Sequence, residues 1–581
     1  MGSQETAVSG TAHVKGRAVG TLVASDVELS FWGGVHSQSG EIIDRHHPLS
    51  GQYLQDTILA IRGGRGSCSG SGVMLELLLN NKGPRALLLE RRDDILILGV
   101  MVAEELFARA IPVVTLNAGD FSTVLKLKGN VVHVEFDRVS SRPSRGVRQR
   151  DQPARVPSTV ILSTMDQDLL AGVHGKASQI ALRIVLRMAE LVGAQTLMDI
   201  TQAHIDCCVY TGEGSLLFAE RLLELGGKVR VPTTLNSISV DQNRWRIQGV
   251  DPIFGQAAAR LASVYVEMGS RPTFTCAPYQ LDSVPKPGEQ VAWAESNAVV
   301  YANSVLGART MKYPDFLDAC IALTGRAPAG GAHLETNRLA SLVVSVCGVN
   351  AVDDSFYPVL GYHVGSLAPD CIPMVTGLEA LSPSNDDLKA FSAAFATTSS
   401  APMFHMAGIT PEARGSPETM VQKGPPVRTV TVKIEGLREC WNDLDSGPRD
   451  LPVDMVSLGN PHFSFKEIKR LAELCRGREK MSAVSVVVTC GRSSYSLAQQ
   501  AGLVVELEAF GVQFITDTCW CMLGEPTIAV SPNAIMTNSG KYAHYGPGLT
   551  GRKFFFGSLA MCVEAACLGR SVQWPRWLGI E

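Results

Sequence analysis

The stretch Gly63-Gly64-Arg65-Gly66-Ser67-Cys68-Ser69-Gly70-Ser71-Gly72 is the most unusual local pattern in the sequence, and the apolar helical pattern Val73–Leu79 follows it. A glycine-rich turn that opens a helix presents free backbone N–H groups and the positive end of the helix dipole, which suits a carboxylate or a phosphate. The stretch lacks the Gly-Lys-Ser/Thr of a P-loop and the glycine spacing of a dinucleotide fingerprint. A serine in this turn is a candidate nucleophile or base, and a structural turn with capping serines remains the alternative.

Short strand patterns and glycine turns surround this stretch from residue 11 to about residue 137. We predict strands at Gly20–Val23, Ile42–Ile43, Thr57–Ile61, Ala86–Leu89, Val113–Leu116 and Val131–Phe136, and helices near Gly72–Asn80 and Ala103–Ala110. Residues 140–158, rich in Arg, Pro and Ser, show no apolar periodicity and are predicted to be an exposed linker. This linker has no aromatic residue for stacking on bases, which argues against an RNA-binding arm. The sequence therefore predicts a β-rich domain over 1–139, a linker over 140–158 and a second region over 159–581.

Beyond the linker, helix and strand patterns alternate along the chain. We predict helices at Gln179–Val192, Ser215–Leu225, Phe465–Leu474, Tyr495–Ala501 and Leu559–Leu568. We predict strands at Ala203–Val209, Lys228–Val231, Val430–Ile434, Val484–Thr489 and around Ile515. Alternating helices and apolar strands indicate α/β layers, so we expect an α/β fold for this large region.

Bulk composition narrows the function. The chain has 581 residues, of which 45% are hydrophobic, and a formal net charge of -4, so no concentrated basic surface points to nucleic acid. No apolar run reaches the roughly 18 residues of a membrane span, and the first residues show no basic and apolar signal pattern. The 14 cysteines are scattered rather than spaced as a disulfide framework. We expect a cytoplasmic enzyme without nucleic-acid or membrane partners.

Some of these cysteines are candidates for holding a metal. Cys371, Cys519 and Cys562 lie at the ends of predicted elements, where sites are usually built. Cys320, Cys347, Cys475 and Cys567 have apolar surroundings typical of a core, and the adjacent Cys207 and Cys208 do not form a chelate on a strand. No CxxC pattern occurs, so spacing alone leaves the ligand set open.

Polar side chains also cluster on loops beside apolar elements. These strings are Val231–Asn236, Trp293–Ala298 with Asn303–Thr310, Phe404–Ala413, Gly459–Ser464 and Thr537–Lys541. Hydroxyl, amide and charged groups on such loops suit the binding of a small polar substrate. Each string alone is also compatible with a capped turn. Five strings in one chain favour a polar active site.

Several of these strings carry a resemblance to a known family. SFWGGV (30–35), GEIIDRHHPLSGQ (40–52) and GRGSCSGSGVMLE (64–76) resemble the small swivelling domain of aconitase X proteins. The large subunit of that family is similar to VPTTLN (231–236), ESNAVVYANSVLGART (295–310), HMAGITPEA (405–413), VSLGNPHFS (456–464), TDTCW (516–520) and TNSGKYAHY (537–545). The resemblance runs in order over nearly the whole chain. It implies an N-terminal β-rich swivelling domain joined by a linker to a large multi-lobed α/β aconitase-like catalytic region.

The resemblance also implies an activity, a hydro-lyase reaction. Family members dehydrate cis-3-hydroxy-L-proline or mevalonate 5-phosphate, and the second type comes as separate subunits with a cysteine where this chain has Asn460. The fused chain and Asn460 favour cis-3-hydroxy-L-proline, with Δ1-pyrroline-2-carboxylate as the product. Mevalonate 5-phosphate dehydration remains an alternative. A third possibility is a non-catalytic iron-binding or iron-sensing relative. The presence of Ser67 and Cys519 argues against it.

The resemblance assigns roles to residues as well. It implies an iron–sulfur cluster, which we expect to be [2Fe-2S] or another iron centre because Asn460 replaces one usual ligand. The expected metal ligands are Cys371, Cys519 and Cys562. Ser67 is the expected base, and His462 or Lys541 the expected proton donor. The expected substrate-binding residues are Arg65, Ser69 (also the second candidate base), Thr233, Thr234, Asn236, Asn460 and Ser539. The only partner implied is a small hydroxy acid, and the oligomeric state stays open.

Overall fold

The structure, a computed structural model, describes residues 6–44, 47–65, 67–143, 159–349, 351–423, 427–528, 534–571 and 574–579. Its strands are β1 (Ala7–Ser9), β2 (Thr11–Val14), β3 (Arg17–Ala24), β4 (Thr57–Ile61), β5 (Ala86–Leu89), β6 (Val113–Thr115), β7 (Val131–Glu135), β8 (Arg138–Ser140), β9 (Leu197–Asp199), β10 (Ala203–Ile205), β11 (Thr233–Leu235), β12 (Ala292–Trp293), β13 (Arg326–Pro328), β14 (Leu342–Val346), β15 (Pro373–Thr376), β16 (His405–Met406), β17 (Arg428–Val432), β18 (Val453–Phe463), β19 (Ser485–Cys490), β20 (Val512–Ile515), β21 (Ala534–Thr537) and β22 (Lys553–Phe556). Its α-helices are α1 (Gly70–Leu79), α2 (Asp94–Phe107), α3 (Ala118–Leu125), α4 (Thr164–Ala171), α5 (Lys176–Leu191), α6 (Glu213–Glu224), α7 (Pro252–Glu267), α8 (Ser296–Tyr301), α9 (Leu317–Thr324), α10 (Phe356–Leu367), α11 (Asn385–Thr398), α12 (Ile434–Leu444), α13 (Phe465–Cys475), α14 (Arg492–Gln500), α15 (Leu503–Phe510), α16 (Gly540–Thr550) and α17 (Leu559–Leu568).

The chain divides into two compact units. The first comprises the residues up to Ile200 together with Tyr210–Val231 and Tyr313–Gly330, and the second comprises the remainder. The predicted linker, 140–158, lies outside the described residues from position 144 onward. The predicted boundaries at 139 and 158 stay predictions.

The first unit is built on an eight-stranded mixed sheet in the order β1-β8-β7-β3-β4-β5-β6-β2. The neighbours from β3 to β6 are parallel, and the pairs toward both edges are antiparallel. Ile58 and Leu88 of the parallel strands pack with Phe121 of α3 in one buried core. The carboxylate of Glu76 on α1 accepts a hydrogen bond from the Gly214 N–H at 2.5 Å, which fixes the start of α6 to α1.

Helices α1 and α2 approach each other closely at Gly99. A Cβ atom at Gly99 would lie 2.6 Å from the carbonyl oxygen of Ser71 and 2.9 Å from the Cβ of Met74. We therefore expect Gly99→Ala to cost about 1–3 kcal/mol of stability through overpacking and to lower the midpoint of thermal unfolding. The matched control is Gly119→Ala on exposed α3, where only Asn117 lies within 4 Å and the distance is an ordinary 3.4 Å.

That control is expected to raise stability by about 0.5–1 kcal/mol, because alanine loses less conformational freedom than glycine in a helix. If Gly99→Ala and Gly119→Ala changed the stability equally, the close approach of α1 to α2 would not be what excludes a side chain at Gly99.

The second unit contains three parallel sheets. They are β11-β10-β12, β16-β15-β14-β17 and the five-stranded sheet β20-β19-β18-β21-β22. On one face of the five-stranded sheet the apolar sides of α13, α15 and α17 form a core, and Trp520, Tyr542 and Phe554 pack on the other. Strands buried on both faces account for the apolar runs in the sequence.

The observed elements confirm the α/β prediction and correct several details. The strands predicted at Thr57–Ile61 and Ala86–Leu89 and the helix at Leu559–Leu568 have those bounds. The strand predicted at Lys228–Val231 is wrong, because the Arg230 N–H donates to the Ala322 carbonyl at 2.8 Å rather than to a strand neighbour.

Other boundaries differ for identifiable reasons. Helix α2 begins at Asp94 rather than Ala103, since the Asp93 side chain caps it by accepting from the Ile95 and Leu96 N–H groups. Ile42 makes only isolated bridges, so no strand forms there. Strand β17 ends at Val432, and Ile434 already belongs to α12. No α-helix of the described residues is both long and apolar enough to cross a membrane.

Candidate active site

The carboxyl ends of parallel strands in the second unit carry most of the polar strings of the sequence. In the five-stranded sheet, Asn460 and His462 lie at the end of β18, Cys519 follows β20, and Ser539 and Lys541 follow β21. Parallel strands bring their carboxyl ends to one edge, which is where α/β proteins usually bind ligands. This edge is the candidate active site.

A sharp turn at the end of β18 directs Asn460 into this site. Gly459 has φ +98°, and a Cβ there would collide with the carbonyl oxygen of Thr489, so only glycine fits without strain. The Thr489 hydroxyl donates to the Gly459 carbonyl at 2.6 Å. The indole N–H of Trp520 donates to the Leu458 carbonyl at 2.8 Å. These bonds tie the turn to β19 and to the segment that carries Cys519.

Three cysteine thiols meet beside this turn. Cys519 is hydrogen-bonded to both Cys276 and Cys521. The Asn460 amide nitrogen lies 3.2 Å from the Cys521 sulfur and 3.6 Å from the Cys519 sulfur. The His462 backbone N–H donates to the Cys276 sulfur at 3.3 Å. We call Cys276, Cys519 and Cys521 the thiol cluster.

The three thiols differ in acidity. Hydrogen bonds from Cys276 and Cys521 hold the pKa of Cys519 well below its ordinary value, and the positive charge of Lys541 acts in the same direction. Burial raises the pKa of Cys276, and the hydrogen bond with Cys519 raises that of Cys521. These directions favour Cys519 as the thiolate among the three, with its two neighbours as S–H donors.

A buried ion pair lies next to the thiol cluster. The Lys541 ammonium is 2.7 Å from the Glu295 carboxylate, and both side chains are largely buried. Glu295 also accepts from the Asn297 amide, which donates to the Cys276 carbonyl at 3.0 Å. Burial alone would lower the pKa of Lys541, but Glu295 and the thiols raise it well above its ordinary value. The site thus contains an ammonium group, stabilised in its protonated form by the negative charges around it.

His462 has both ring nitrogens engaged in the structure. Nε2 is 2.7 Å from the Thr518 carbonyl oxygen, and Nδ1 is 3.1 Å from the Thr275 hydroxyl. Since a carbonyl oxygen only accepts, Nε2 carries the proton and donates it to this bond. Burial lowers the pKa of His462, which favours the neutral ring. The side chain of His462 therefore connects the turn of β18 with Thr518, the residue before Cys519.

In the glycine-rich stretch of the first unit, the described residues Gly64, Arg65 and Ser67–Ser69 precede α1 and have defined hydrogen-bond partners. The Ser67 hydroxyl lies 3.4 Å from that of Ser69 and accepts from the Ser69 N–H at 3.3 Å. Arg65 pairs with Asp44 at 2.9 Å. The Gly64 N–H donates to Asp93 at 2.5 Å, so the residue that caps α2 also holds the turn. The predicted base Ser67 is thus held among hydroxyl and N–H groups.

The remaining predicted substrate-binding residues occupy two places. Thr233, Thr234 and Asn236 lie on or just after β11, where Thr234 bonds to His204 at 2.8 Å and Asn236 donates to Asp206. Ser539 caps α16 by accepting from the Tyr542 N–H at 3.1 Å. Thr234 and Ser539 therefore have structural partners of their own.

Two of the predicted metal ligands lie among apolar residues. Cys562 of α17 belongs to the core on the five-stranded sheet and is fully buried. Cys371 packs against the core around α10 and α11 and is hydrogen-bonded to Ser341. The contacts of Cys519 are with Cys276 and Cys521 instead. Among the described residues, no three or more His, Cys, Asp or Glu side chains are arranged as a metal site. The three thiols are linked instead by the hydrogen bonds of Cys519.

Sequence reasoning missed Cys276, Cys521 and Glu295. The Cys-Trp-Cys spacing of Cys519 and Cys521 was the available signal for Cys521, and Glu295 begins one of the polar strings. Cys276 has no comparable local signal.

Comparisons with known proteins agree with this architecture. Four family models match the chain: the aconitase X swivel domain over residues 7–143, and the first, second and third domains of aconitase X over 159–336, 340–442 and 453–568. The chain belongs to the aconitase X family.

Individual relatives refine this assignment. A cis-3-hydroxy-L-proline dehydratase of Hypocrea jecorina is 59% identical over 96% of this chain and 95% of its own length. The protein of the same name from Pseudomonas aeruginosa is 50% identical over 97% of each chain. A phosphomevalonate dehydratase large subunit of Methanothermobacter thermautotrophicus is 33% identical over 68% of this chain and 95% of its own. The crystal structure of holo aconitase X from Thermococcus kodakaraensis matches with a TM-score of 0.63 at 30% identity and covers 70% of this chain and 100% of that one.

Proposed function

We propose that this protein is a hydro-lyase that dehydrates cis-3-hydroxy-L-proline to Δ1-pyrroline-2-carboxylate. The observation that carries the proposal is the pair of full-length relatives with this name, at 59% and 50% identity. The phosphomevalonate dehydratase large subunits match 68% of this chain, at 33% and 30% identity. The free state of all 14 cysteines supports a reducing compartment, the cytosol.

The family favours an iron-based cofactor, and the donor chemistry of the thiol cluster fits one. Soft thiolate ligands are typical of iron–sulfur clusters, and Cys519 is already the thiolate. We infer that Cys519 holds the iron together with Cys276 and Cys521, a set that the contacts support better than Cys371 and Cys562. Three thiols and the Asn460 amide fit a [2Fe-2S] centre or another iron site better than a cubane. When bound, the iron supplies a Lewis acid for the leaving hydroxyl.

The chain's own residues then have distinct tasks. Ser67, acting as an alkoxide stabilised by the N–H groups of its turn, takes the proton from C2 of the substrate and becomes a neutral hydroxyl, with Ser69 as the second candidate base. Lys541 donates a proton to the departing C3 hydroxide, because His462 already uses its Nε2 proton in the bond to Thr518. Loss of the C2 proton and the C3 hydroxide forms the C2–C3 double bond and releases one water. The enamine then tautomerises to the cyclic imine. Arg65, Asn236 and Asn460 are the proposed contacts of the substrate.

Replacing the proposed base tests the mechanism. We expect Ser67→Ala to lower kcat on cis-3-hydroxy-L-proline by about 10²–10⁴-fold, the usual contribution of a positioned base, while iron content stays unchanged. The measurement is turnover and iron per chain of anaerobically purified protein. Ser122→Ala, at an exposed position of α3, is the matched control and should retain full activity. Ser69→Ala, two residues away in the same turn, separates the two candidate bases and should lose less activity than Ser67→Ala. A loss confined to Ser69→Ala would move the role of base to Ser69.

The wild-type protein tests the substrate. Turnover of cis-3-hydroxy-L-proline supports the proposal directly. Iron without turnover on this substrate, but with turnover of mevalonate 5-phosphate, would replace it with the second family activity. Neither iron nor turnover after anaerobic reconstitution would point to a non-catalytic relative.

A further inference from the structure

Lys389 is a buried lysine that the proposed chemistry does not use. It lies on α11, its side chain is only 4% exposed, and it pairs with Glu467 of α13. Its ammonium is also 3.4 Å from Asp386 and lies over the ring of Phe463 at 5.9 Å. A buried ion pair is seldom more stabilising than apolar residues of the same size. The third hydrogen-bond partner of the Lys389 ammonium therefore indicates what this lysine does.

That third partner is the backbone of His462. The Lys389 ammonium donates to the His462 carbonyl at 3.3 Å, and the Gln280 side chain donates to the same oxygen at 3.1 Å. On the other side of His462, its backbone N–H donates to the sulfur of Cys276. His462 is thus held at its carbonyl by two side chains while its N–H faces the thiol cluster.

The two carboxylate partners of Lys389 also hold Ser464, two residues after His462. Glu467 accepts from the Ser464 N–H at 2.8 Å within a capping box, and Asp386 accepts from the Ser464 hydroxyl at 3.0 Å. Lys389 therefore lies between the two carboxylates that hold Ser464, where β18 ends and α13 begins. The strand end that carries Asn460 and His462 is restrained from α11 by this ammonium and by Asp386.

We propose that Lys389 is a positioning residue for the thiol cluster: it holds the carbonyl of His462 so that the His462 N–H remains on Cys276 and Asn460 remains beside Cys519 and Cys521. The inference rests on the proposed function for its kinetic consequence, but its structural consequence is independent of substrate and iron. Three independent hydrogen bonds of the His462 backbone support it. Lys389 of α11 and Gln280 of the short turn Pro278–Gln280 donate to its carbonyl, and its N–H donates to Cys276.

The first test is the alkylation of Cys276 in the full-length, chelator-treated protein, mapped by mass spectrometry. Lys389→Met should raise the rate of Cys276 modification by iodoacetamide about ten-fold or more, as expected for loss of ordered contacts around a buried group. Lys389→Arg keeps donors for the same oxygen and should stay near the wild-type rate. Lys466→Met, an exposed lysine of α13, is the matched control and should leave the rate unchanged.

The second test uses the protein as purified with its iron. Displacement of site groups by about 1 Å commonly costs about 10²-fold, so Lys389→Met should lower kcat by one to two orders of magnitude with KM nearly unchanged, and should alter the visible absorption of the iron centre. Lys389→Arg should restore most of both. This split between kcat and KM is not expected from a general loss of stability.

Two further variants keep the proposal testable if Lys389→Met folds poorly. Lys389→Met/Glu467→Gln removes both charges of the buried pair, yet still lacks the donor to His462, and should show the same exposure of Cys276. Gln280→Leu removes the second donor and should show a smaller effect in the same direction. Folded variants with wild-type Cys276 modification and absorption would overturn the proposal. Failure of wild-type turnover on hydroxyproline would overturn the proposed function alone.

Discussion

Cys519→Ala is expected to reduce both bound iron and dehydratase activity to background. Cys519 is the thiolate of the thiol cluster and the residue that connects Cys276 to Cys521, so its loss removes the charged ligand and separates the other two. The thiolate, not the thiol, is the metal ligand. The measurement is iron per chain and visible absorption after anaerobic purification, followed by turnover.

The same measurement separates the two possible ligand sets. If the thiol cluster holds the iron, Cys276→Ala and Cys521→Ala should lose most of it, while Cys371→Ala and Cys562→Ala should retain it. Cys562→Ala leaves a small cavity in the core of the five-stranded sheet, so it is expected to cost stability without affecting iron. Loss of iron in Cys371→Ala or Cys562→Ala, with the thermal midpoint preserved, would restore the ligand set predicted from the sequence.

Lys541→Met is expected to lower kcat by about 10²–10⁴-fold, the range for loss of a positioned proton donor. The substitution also leaves Glu295 buried without its ammonium partner, which costs about 3–5 kcal/mol for a typical buried pair. The double variant Lys541→Met/Glu295→Gln removes the uncompensated charge, so it should recover stability but not turnover. Lys553→Met, an exposed lysine on β22, is the matched control.

Thermal unfolding and steady-state kinetics on the same preparations distinguish the two effects. Recovery of both stability and kcat in the double variant would contradict a role for Lys541 as proton donor. Wild-type kcat in Lys541→Met would return that role to His462.

Local patterns in the sequence predicted many of the residues of the candidate site, and these remain predictions. The apolar run Val484–Thr489 predicted β19, and polar strings after apolar strands predicted that Asn460, Ser539 and Lys541 would carry function. The structure brings these residues to one edge of the sheet, because parallel strands β18 and β21 end there. The family resemblance supplied the swivel domain and the fold, and both are confirmed.

Long-range contacts were beyond what the sequence could provide. Cys276 follows no recognisable pattern, and it meets Cys519 only because β11 and the segment after it pack beside the five-stranded sheet. Cys562 lies on the face of α17 that packs on the sheet. A helical period shows that one face is buried, but in a helix that is apolar on several sides it does not show which neighbours each residue meets.

The thiol cluster also imposes an order on the biogenesis of the protein. Cys276 is synthesised well before Cys519 and Cys521, and the β18 turn that faces all three is made between them. A nascent chain therefore presents isolated thiols, each a poor ligand alone. With the ligand set proposed above, cofactor insertion would follow the folding of the five-stranded sheet, so the apoprotein would precede the mature enzyme.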